Sequence, residues 1–200
     1  MGKPKAKTGL RAVSIKKYLK PFKITSRHTT FNGSVQCALA VHDSYDVSRV
    51  AELIALLEQA ANSDLICVYC DKPAATWDHL HNNVQNKRFS GYGNRIFNLV
   101  PACRTCNEKK GAKHWRAFAK TVAPDMDAVE RRLSAVEKRN DAERYPWEMI
   151  VKRHAALAAE YDRAQDELWE KIRQLDAIAA RIRDAIIADL ASRTKHVTAQ

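Results

Sequence analysis

Two Cys-x-x-Cys pairs constrain the fold of this chain more than any other feature, with ligands at Cys67, Cys70, Cys103 and Cys106. A two-residue gap lets both sulfurs of a tight turn face one ion, and four thiolates complete the tetrahedral coordination of zinc. Soft sulfur ligands select zinc over magnesium or calcium, and a closed four-sulfur site has no open position for catalysis. One pair alone would be typical of a redox motif, but two pairs in one short module predict a structural Zn²⁺ ion.

Composition limits the size and the surroundings of the protein. With 200 residues the chain is long enough for one compact domain and an appendage. No apolar run approaches the roughly 18 residues that a membrane helix needs, so we expect no membrane partner. The basic N-terminus lacks the apolar stretch of a secretory signal, which predicts a cytoplasmic location. In a reducing cytoplasm, paired cysteines bind metal more often than they form disulfides.

The net charge of +11 is unevenly distributed along the chain. Residues 1–42 contain nine Lys or Arg and no acid, and residues 43–124 contain eleven basic and eight acidic side chains. Residues 125–200 are nearly balanced, with fourteen basic and fifteen acidic side chains. This distribution favours a polyanionic partner, because Lys and Arg that contact phosphates release counterions. A solvated basic tail that serves solubility is the alternative.

Helical patterns flank the cysteine module on both sides. Apolar residues at helical spacing predict a helix that begins at Asp46 or Ser48 and ends at 62–63. Cys37, in an apolar context upstream, is interpreted as a small buried residue without a metal. At the N-terminus, Ile15, Tyr18 and Leu19 predict a short basic helix or strand.

The C-terminal part is predicted to be helical, with a helix starting at Pro124-Asp125 and one long helix from Trp147 to about Leu190. The long helix has a seven-residue repeat of apolar residues. Its seam consists of Leu168, Leu175, Ile182, Ile172, Ala179 and Ile186. This seam can pair with a second copy of the chain as a coiled coil or fold back on the helix at 125–140. We favour the homodimer.

Between the cysteine pairs the pattern alternates strand, loop, strand and helix. Residues 75–80 and 95–100 read as strands, the second ended by Pro101, and residues 81–93 read as a polar loop. A helix is expected to begin at Thr105 or Asn107 and to run through Trp115 and Phe118. The spacing of Trp115 and Phe118 indicates that both are buried.

This order closely resembles the HNH endonuclease family, whose ββα-metal fold carries Asp-His on the first strand, Asn on the second and His or Asn on the helix. The matching residues are Asp78, His79, Asn98 and Asn107, and the cysteine pairs match the zinc-stabilised branch of the family. The resemblance covers about residues 65–115. Two features depart from the family: His81-Asn82 replaces the usual proline, and the last motif residue is Asn rather than His.

The resemblance implies a metal-dependent endonuclease that hydrolyses phosphodiester bonds. His79 is expected to be the general base, because imidazole accepts protons near neutral pH. Asp78 and Asn107 are expected to hold Mg²⁺ or Mn²⁺, a Lewis acid for the phosphate and the leaving oxygen, and Asn98 to orient the loop. Neighbours on an ideal strand point to opposite faces, so Asp78 and His79 share a site only if the strand bends.

Six basic residues of the module are candidate nucleic-acid contacts: Lys87, Arg88, Arg95, Lys109, Lys110 and Lys113. Each is otherwise a solvated surface charge. The expected partner is double-stranded DNA, in a bacterial or phage-encoded system with a restriction, mobile-element or defence role. A zinc-stabilised nucleic-acid-binding protein without cleavage is one alternative, and a ribonuclease or structure-specific nuclease with the same site is the other.

The predicted fold class is α+β, with a small ββα-metal zinc module between a basic arm and a long helical region. The predicted domain division is a basic arm at 1–45, the nuclease module with its preceding helix at 46–123 and a helical hairpin or coiled coil at 124–200.

Overall fold

A computed structural model describes residues 12–17 and 19–197, and it confirms the α+β class. The described part contains seven α-helices and two small antiparallel sheets. It divides into two compact units. One unit combines the residues up to His28 with those from Asp166 onward, and the other is Thr29–Gln165. The domain division at 45 and 123 stays a prediction.

Short helices begin the described chain. Short 3₁₀ helices at Ala12–Lys17 and Ile24–Arg27 precede helix α1, His28–Cys37. Residues 1–11 of the predicted basic arm and Tyr18 of its helical pattern lie outside the described residues. Cys37 is exposed, so the prediction that it is buried is wrong. Cys37 lies on the last turn of α1. At this position, apolar neighbours in the sequence do not ensure that other elements bury the side chain.

Helix α2, Val47–Leu56, begins as predicted. The Asp46 carboxylate accepts hydrogen bonds from the backbone N–H groups of Ser48 and Arg49, at 2.9 and 3.1 Å. Such a cap satisfies donors that have no partner in the first turn. The helix ends earlier than the predicted 62–63, because Glu58 takes a positive φ of 56° directly after the last turn.

The central sheet pairs β1, Thr76–His79, with β4, Leu99–Ala102, in antiparallel register, so that His79 lies opposite Leu99. The strand predicted at 75–80 is thus confirmed, with one residue fewer at each end. The second strand is shifted from the predicted 95–100, since Ile96–Asn98 forms a 3₁₀ turn first. Pro101, expected to end this strand, lies inside it. A two-stranded sheet leaves one edge of each strand unpaired, where the missing N–H of proline costs no hydrogen bond.

The predicted polar loop contains a second, smaller hairpin. Strand β2, Val84–Gln85, pairs with β3, Arg88–Phe89. Asn86 and Lys87 form the two-residue turn between them with positive φ values of 51° and 64°. Turns with two positive φ values match the twist of antiparallel strands and therefore close hairpins readily.

Two helices follow the sheet where one was predicted. Helix α3, Arg104–Lys110, ends at Gly111, whose φ is 49°. Helix α4, Trp115–Ala119, starts anew. The prediction of one helix through Trp115 and Phe118 is therefore wrong, because the glycine stops the first helix at a conformation that other residues avoid. Both aromatic side chains are nevertheless buried, as predicted.

The C-terminal region contains α5, Met126–Asp141, α6, Trp147–Arg153, and α7, Ala155–Val197. The Asp125 carboxylate caps α5, in line with the predicted start. The single helix expected from Trp147 is wrong, since His154 breaks it with φ −136° and ψ 46°. No helix in the described ranges combines the length and the apolar character that crossing a bilayer demands.

The seam of α7 is largely exposed. Four of its residues expose between 42% and 56% of their surface: Leu168, Leu175, Ile182 and Ile186. Ile172 is buried, and nearby the Asp176 carboxylate accepts hydrogen bonds from the backbone N–H groups of Ile24 and Thr25. The exposed part is an unpaired apolar face of the kind that coiled-coil pairing requires.

One hydrophobic core joins α2, the zinc module and α5. Its fully buried members include Leu57, Tyr69, Phe97, Trp115 and Leu133. Helix α5 therefore packs directly on the module, and the four cysteines of the two Cys-x-x-Cys pairs lie in this core or pack against it.

Candidate active site and metal centres

The four cysteines converge on one point at the base of the central hairpin. Their ligand atoms lie within 4.8 Å of one another, with Sγ of Cys70 3.7 Å from that of Cys103 and 3.5 Å from that of Cys106. Tetrahedral zinc with Zn–S bonds near 2.3 Å separates its sulfurs by about 3.8 Å. The cluster therefore fits a four-sulfur zinc site, as the spacing of the pairs predicted.

Burial disfavours the thiolate form of cysteines in this cluster, and a bound cation would stabilise that form. Burial raises the pKa of Cys67 and Cys106 above the ordinary thiol value. At Cys103 burial acts in the same direction, but hydrogen bonds from the backbone N–H and thiol of Cys106 bring its pKa below that value. Four adjacent sulfurs become thiolates together only around a positive ion.

His79 lies half-buried at the end of β1, where its ring is held by Asn94. Nε2 of His79 lies 2.8 Å from Oδ1 of Asn94, and this oxygen also accepts a hydrogen bond from Nδ2 of Asn83 at 3.0 Å. With the amide in this orientation, Oδ1 can only accept, so Nε2 carries the proton of the imidazole. Nδ1 of His79 is then the unprotonated nitrogen that is available as a base.

Asp78 points to the opposite face of β1, into the protein. It is only 5% exposed, and its carboxylate accepts a hydrogen bond from Oη of Tyr69 at 2.7 Å and forms an ion pair with Nζ of Lys110 at 3.1 Å. Nζ of Lys110 also donates to the backbone carbonyl of His79 at 2.7 Å. Burial, followed by the charge of Asp78, raises the pKa of Tyr69 well above its ordinary value. The structure therefore does not bring the carboxylate of Asp78 beside the imidazole of His79.

Asn107 ties α3 to β1. Its Nδ2 donates to Oγ1 of Thr76 and to the backbone carbonyl of Trp77, both at 3.3 Å. The two carboxylate oxygens of Asp78 are meanwhile occupied by Tyr69 and Lys110. Mg²⁺ keeps several water molecules in an octahedral shell. Because Lys110 holds this buried carboxylate in an ion pair, the role of Asp78 and Asn107 as ligands of a divalent ion stays a prediction.

Asn98 is fully buried and holds the loop that follows β1. Its Oδ1 accepts from the backbone N–H of His81 at 2.9 Å and from Nδ2 of Asn140 at 3.1 Å. Its Nδ2 donates to the backbone carbonyls of His81 at 3.0 Å and of Gly93 at 2.8 Å. Gly93 directly precedes Asn94, so these contacts fix the segment that holds His79.

The six predicted phosphate contacts differ in accessibility. Lys87, Lys109 and Lys113 are exposed. Arg88 is ion-paired with Asp162, and Arg95 is bound by Asp43 and Glu143. The sixth, Lys110, is only 1% exposed, because its ammonium group is used inside the protein by Asp78. A phosphate cannot reach that group, so the prediction for Lys110 is corrected.

A shallow depression of about 320 Å³ lies on the His79 side of the sheet. Its lining is mainly apolar and includes Tyr45, Trp77, Asn94 and Leu99. Trp77 is 46% exposed and, two residues before His79 on β1, shares a face with it. An exposed aromatic ring beside a candidate base offers a surface on which a nucleobase can stack.

A second cluster, which the sequence reasoning missed, involves His81, His114 and Glu137. Asn94 was also missed. Asn94 lies in a loop without periodicity, so only the fold brings it to His79. Glu137 lies in α5, outside the cysteine module, so only the fold brings it to His81 and His114. His81 was visible as a departure from the family pattern, and that departure was the one available signal.

Comparison with known proteins supports the resemblance. Residues 67–113 match the family model described as HNH endonuclease. No curated protein and no solved structure gives a match. The matched segment begins at the first cysteine of the zinc cluster and extends to Lys113, just beyond α3.

Proposed function

We propose that this chain is a nuclease that hydrolyses phosphodiester bonds in DNA, with His79 as the general base, because residues 67–113 match the HNH endonuclease family model. The zinc site of the four cysteines holds the central hairpin and α3 together and takes no part in the chemistry. A four-coordinate sulfur site has no open position for substrate or water.

The hydrogen bond between His79 and Asn94 is the observation that carries this proposal. It leaves Nδ1 of His79 as the basic nitrogen on the exposed side of β1. There Nδ1 can take the proton of a water molecule that attacks a phosphate. Asn94 is a positioning residue, because it holds both the orientation and the tautomer of the ring. The adjacent depression, with Trp77 at its wall, has room for the nucleotide beside the scissile bond.

We propose a divalent ion, Mg²⁺ or Mn²⁺, as the catalytic cofactor, in keeping with the family match. Such an ion supplies Lewis-acid stabilisation of the phosphate. For Asp78 and Asn107 to be its ligands, Lys110 must first release the carboxylate of Asp78.

Double-stranded DNA is the proposed substrate, and the exposed Lys87, Lys109 and Lys113 are the proposed phosphate contacts. Arg88 and Arg95 can join them only by exchanging their present ion pairs for phosphate. Phosphate contacts position a nucleic acid without reading its sequence. We propose that the protein is encoded by a bacterium or a phage and acts in the cytoplasm. Its proposed role is in restriction, in a mobile element or in defence.

A zinc-stabilised nucleic-acid-binding protein without cleavage is the second candidate, and one observation favours it. The ion pair between Asp78 and Lys110 neutralises the carboxylate that the family resemblance assigns to the metal. A chain that keeps this pair when bound to DNA would keep the fold and lose the reaction.

The experiment compares supercoiled plasmid, linear duplex, single strands and RNA, each with Mg²⁺, Mn²⁺ or chelator. The proposal predicts metal-dependent nicking or cutting of DNA that is lost in His79→Ala and retained in His154→Ala, whose exposed histidine lies at the break before α7. Binding of DNA without cleavage under every ion supports the second candidate. Cleavage of RNA alone supports a ribonuclease with the same site.

A further inference from the structure

His81, His114 and Glu137 bring three metal-ligating side chains together outside the zinc cluster. Their ligand atoms lie within 4.8 Å of one another. Nε2 of His81 is 3.0 Å from Oε1 of Glu137, and Nε2 of His114 is 4.0 Å from the same oxygen. Zinc with bonds of about 2.0–2.1 Å to nitrogen and oxygen separates its tetrahedral ligands by about 3.3 Å. The two observed distances bracket that value.

The burial of His81 points independently to a ligand. Its side chain is 6% exposed, and Nε2, although it lies 3.0 Å from Oε1 of Glu137, makes no hydrogen bond of good geometry to any described residue. The ring is fixed by stacking on Tyr92, with centroids 4.3 Å apart. A buried polar nitrogen without a hydrogen bond is costly, and coordination to a metal would satisfy it.

The surroundings of Glu137 resemble those of a metal ligand. Its Oε1 accepts a hydrogen bond from Nε1 of Trp115 at 2.9 Å, and its Oε2 is 2.6 Å from the guanidinium of Arg116. Hydrogen bonds of this kind orient a ligating carboxylate. A cavity of about 410 Å³, lined in part by His81 and His114, adjoins the cluster and can supply a water molecule as fourth ligand.

One contact must change for a metal to bind. Nδ1 of His114 accepts a hydrogen bond of 3.2 Å from the backbone N–H of Arg116 at the start of α4. A metal at Nε2 requires the proton on Nδ1, so this single cap would be given up. His114 is half exposed, which lets the ring move by the small amount needed.

We propose that His81, His114 and Glu137 form a second zinc site, with two histidines, one glutamate and one water as ligands. His81 lies in the loop after β1, His114 directly precedes α4, and Glu137 lies in α5. The ion would therefore join the nuclease module to α5. Two histidines, a carboxylate and an open position are typical of catalytic rather than purely structural zinc.

The test is the number of zinc ions that the untagged full-length chain binds from a buffer of fixed free zinc, measured by mass spectrometry. The parent is expected to bind two per chain, whereas His114→Ala and Glu137→Gln bind one. His154→Ala, which removes an exposed histidine from the break before α7, keeps two. Loss of the ligands should weaken the second zinc at least about 10-fold, the lower limit seen when residues around a metal site are removed.

X-ray absorption of the loaded protein gives an independent readout. Two sites of different chemistry predict an average of about two sulfur and two nitrogen or oxygen neighbours per zinc, and His114→Ala predicts four sulfurs. A parent that binds one zinc with four sulfurs overturns the proposal. So does a second zinc that His114→Ala and Glu137→Gln leave unchanged. Circular dichroism of the variants establishes that they fold, and His114 is exposed enough that folding is expected.

Discussion

Replacing Asn98 with alanine is expected to destabilise the protein and to slow cleavage together. The side chain makes four hydrogen bonds to His81, Gly93 and Asn140 in a fully buried position. At about 1 kcal/mol of net stability each, their loss costs about 4 kcal/mol. Against a typical free energy of unfolding of about 5–15 kcal/mol, this loss removes between about a quarter and about four fifths of the stability.

The assay is urea unfolding of the parent and variant at equal zinc loading, followed by far-UV circular dichroism. Asn140→Ala is the matched control, because it removes one of the four bonds and should cost about 1 kcal/mol. The plasmid-nicking rate should also fall in Asn98→Ala, since Gly93 adjoins Asn94, which holds His79. A displacement near 1 Å at a catalytic group can cost about 100-fold in rate. A variant no less stable than Asn140→Ala would refute this account of Asn98.

Three further changes test other parts of the structure. Cys103→Ser should release one zinc per chain and lower the melting temperature, because the small module depends on its metal; an unchanged melting curve contradicts the zinc assignment. Lys110→Met should cost about 3–5 kcal/mol by leaving Asp78 buried without a counter-charge, and Asp78→Asn in the same chain should restore part of it. The exposed Lys109→Met is its control, expected within about 0.5 kcal/mol of the parent. Leu175→Glu, on the exposed seam of α7, should turn a dimer into a monomer in sedimentation velocity, and a parent that sediments as a monomer excludes the predicted homodimer.

Local chemistry made the cluster of four cysteines and several element starts predictable. The Cys-x-x-Cys spacing depends only on a tight turn, and the structure brings the four sulfurs together as expected. Asp46 and Asp125 are capping residues whose effect acts within three residues, so the starts of α2 and α5 could be read directly. The strand around Asp78 and His79 followed from its position between the cysteine pairs.

Longer-range features could not be predicted in the same way. Gly111 and His154 interrupt helices through backbone conformations that the apolar periodicity does not record. Lys110 resembled a surface charge until the fold placed Asp78 against it. The partner of His79, Asn94, lies fifteen residues away in the chain, and Glu137 lies in α5, far along the chain from His81 and His114. In each case the fold decides which charges and amides meet.

The most direct test of the central claim is the single-turnover nicking rate of supercoiled plasmid by His79→Ala at full zinc occupancy. The account predicts a rate at least about 100-fold below the parent, the lower end of general-base contributions, with DNA affinity and zinc content unchanged. A variant that nicks as fast as the parent would show that His79 is not the base, and the proposed mechanism would then be wrong.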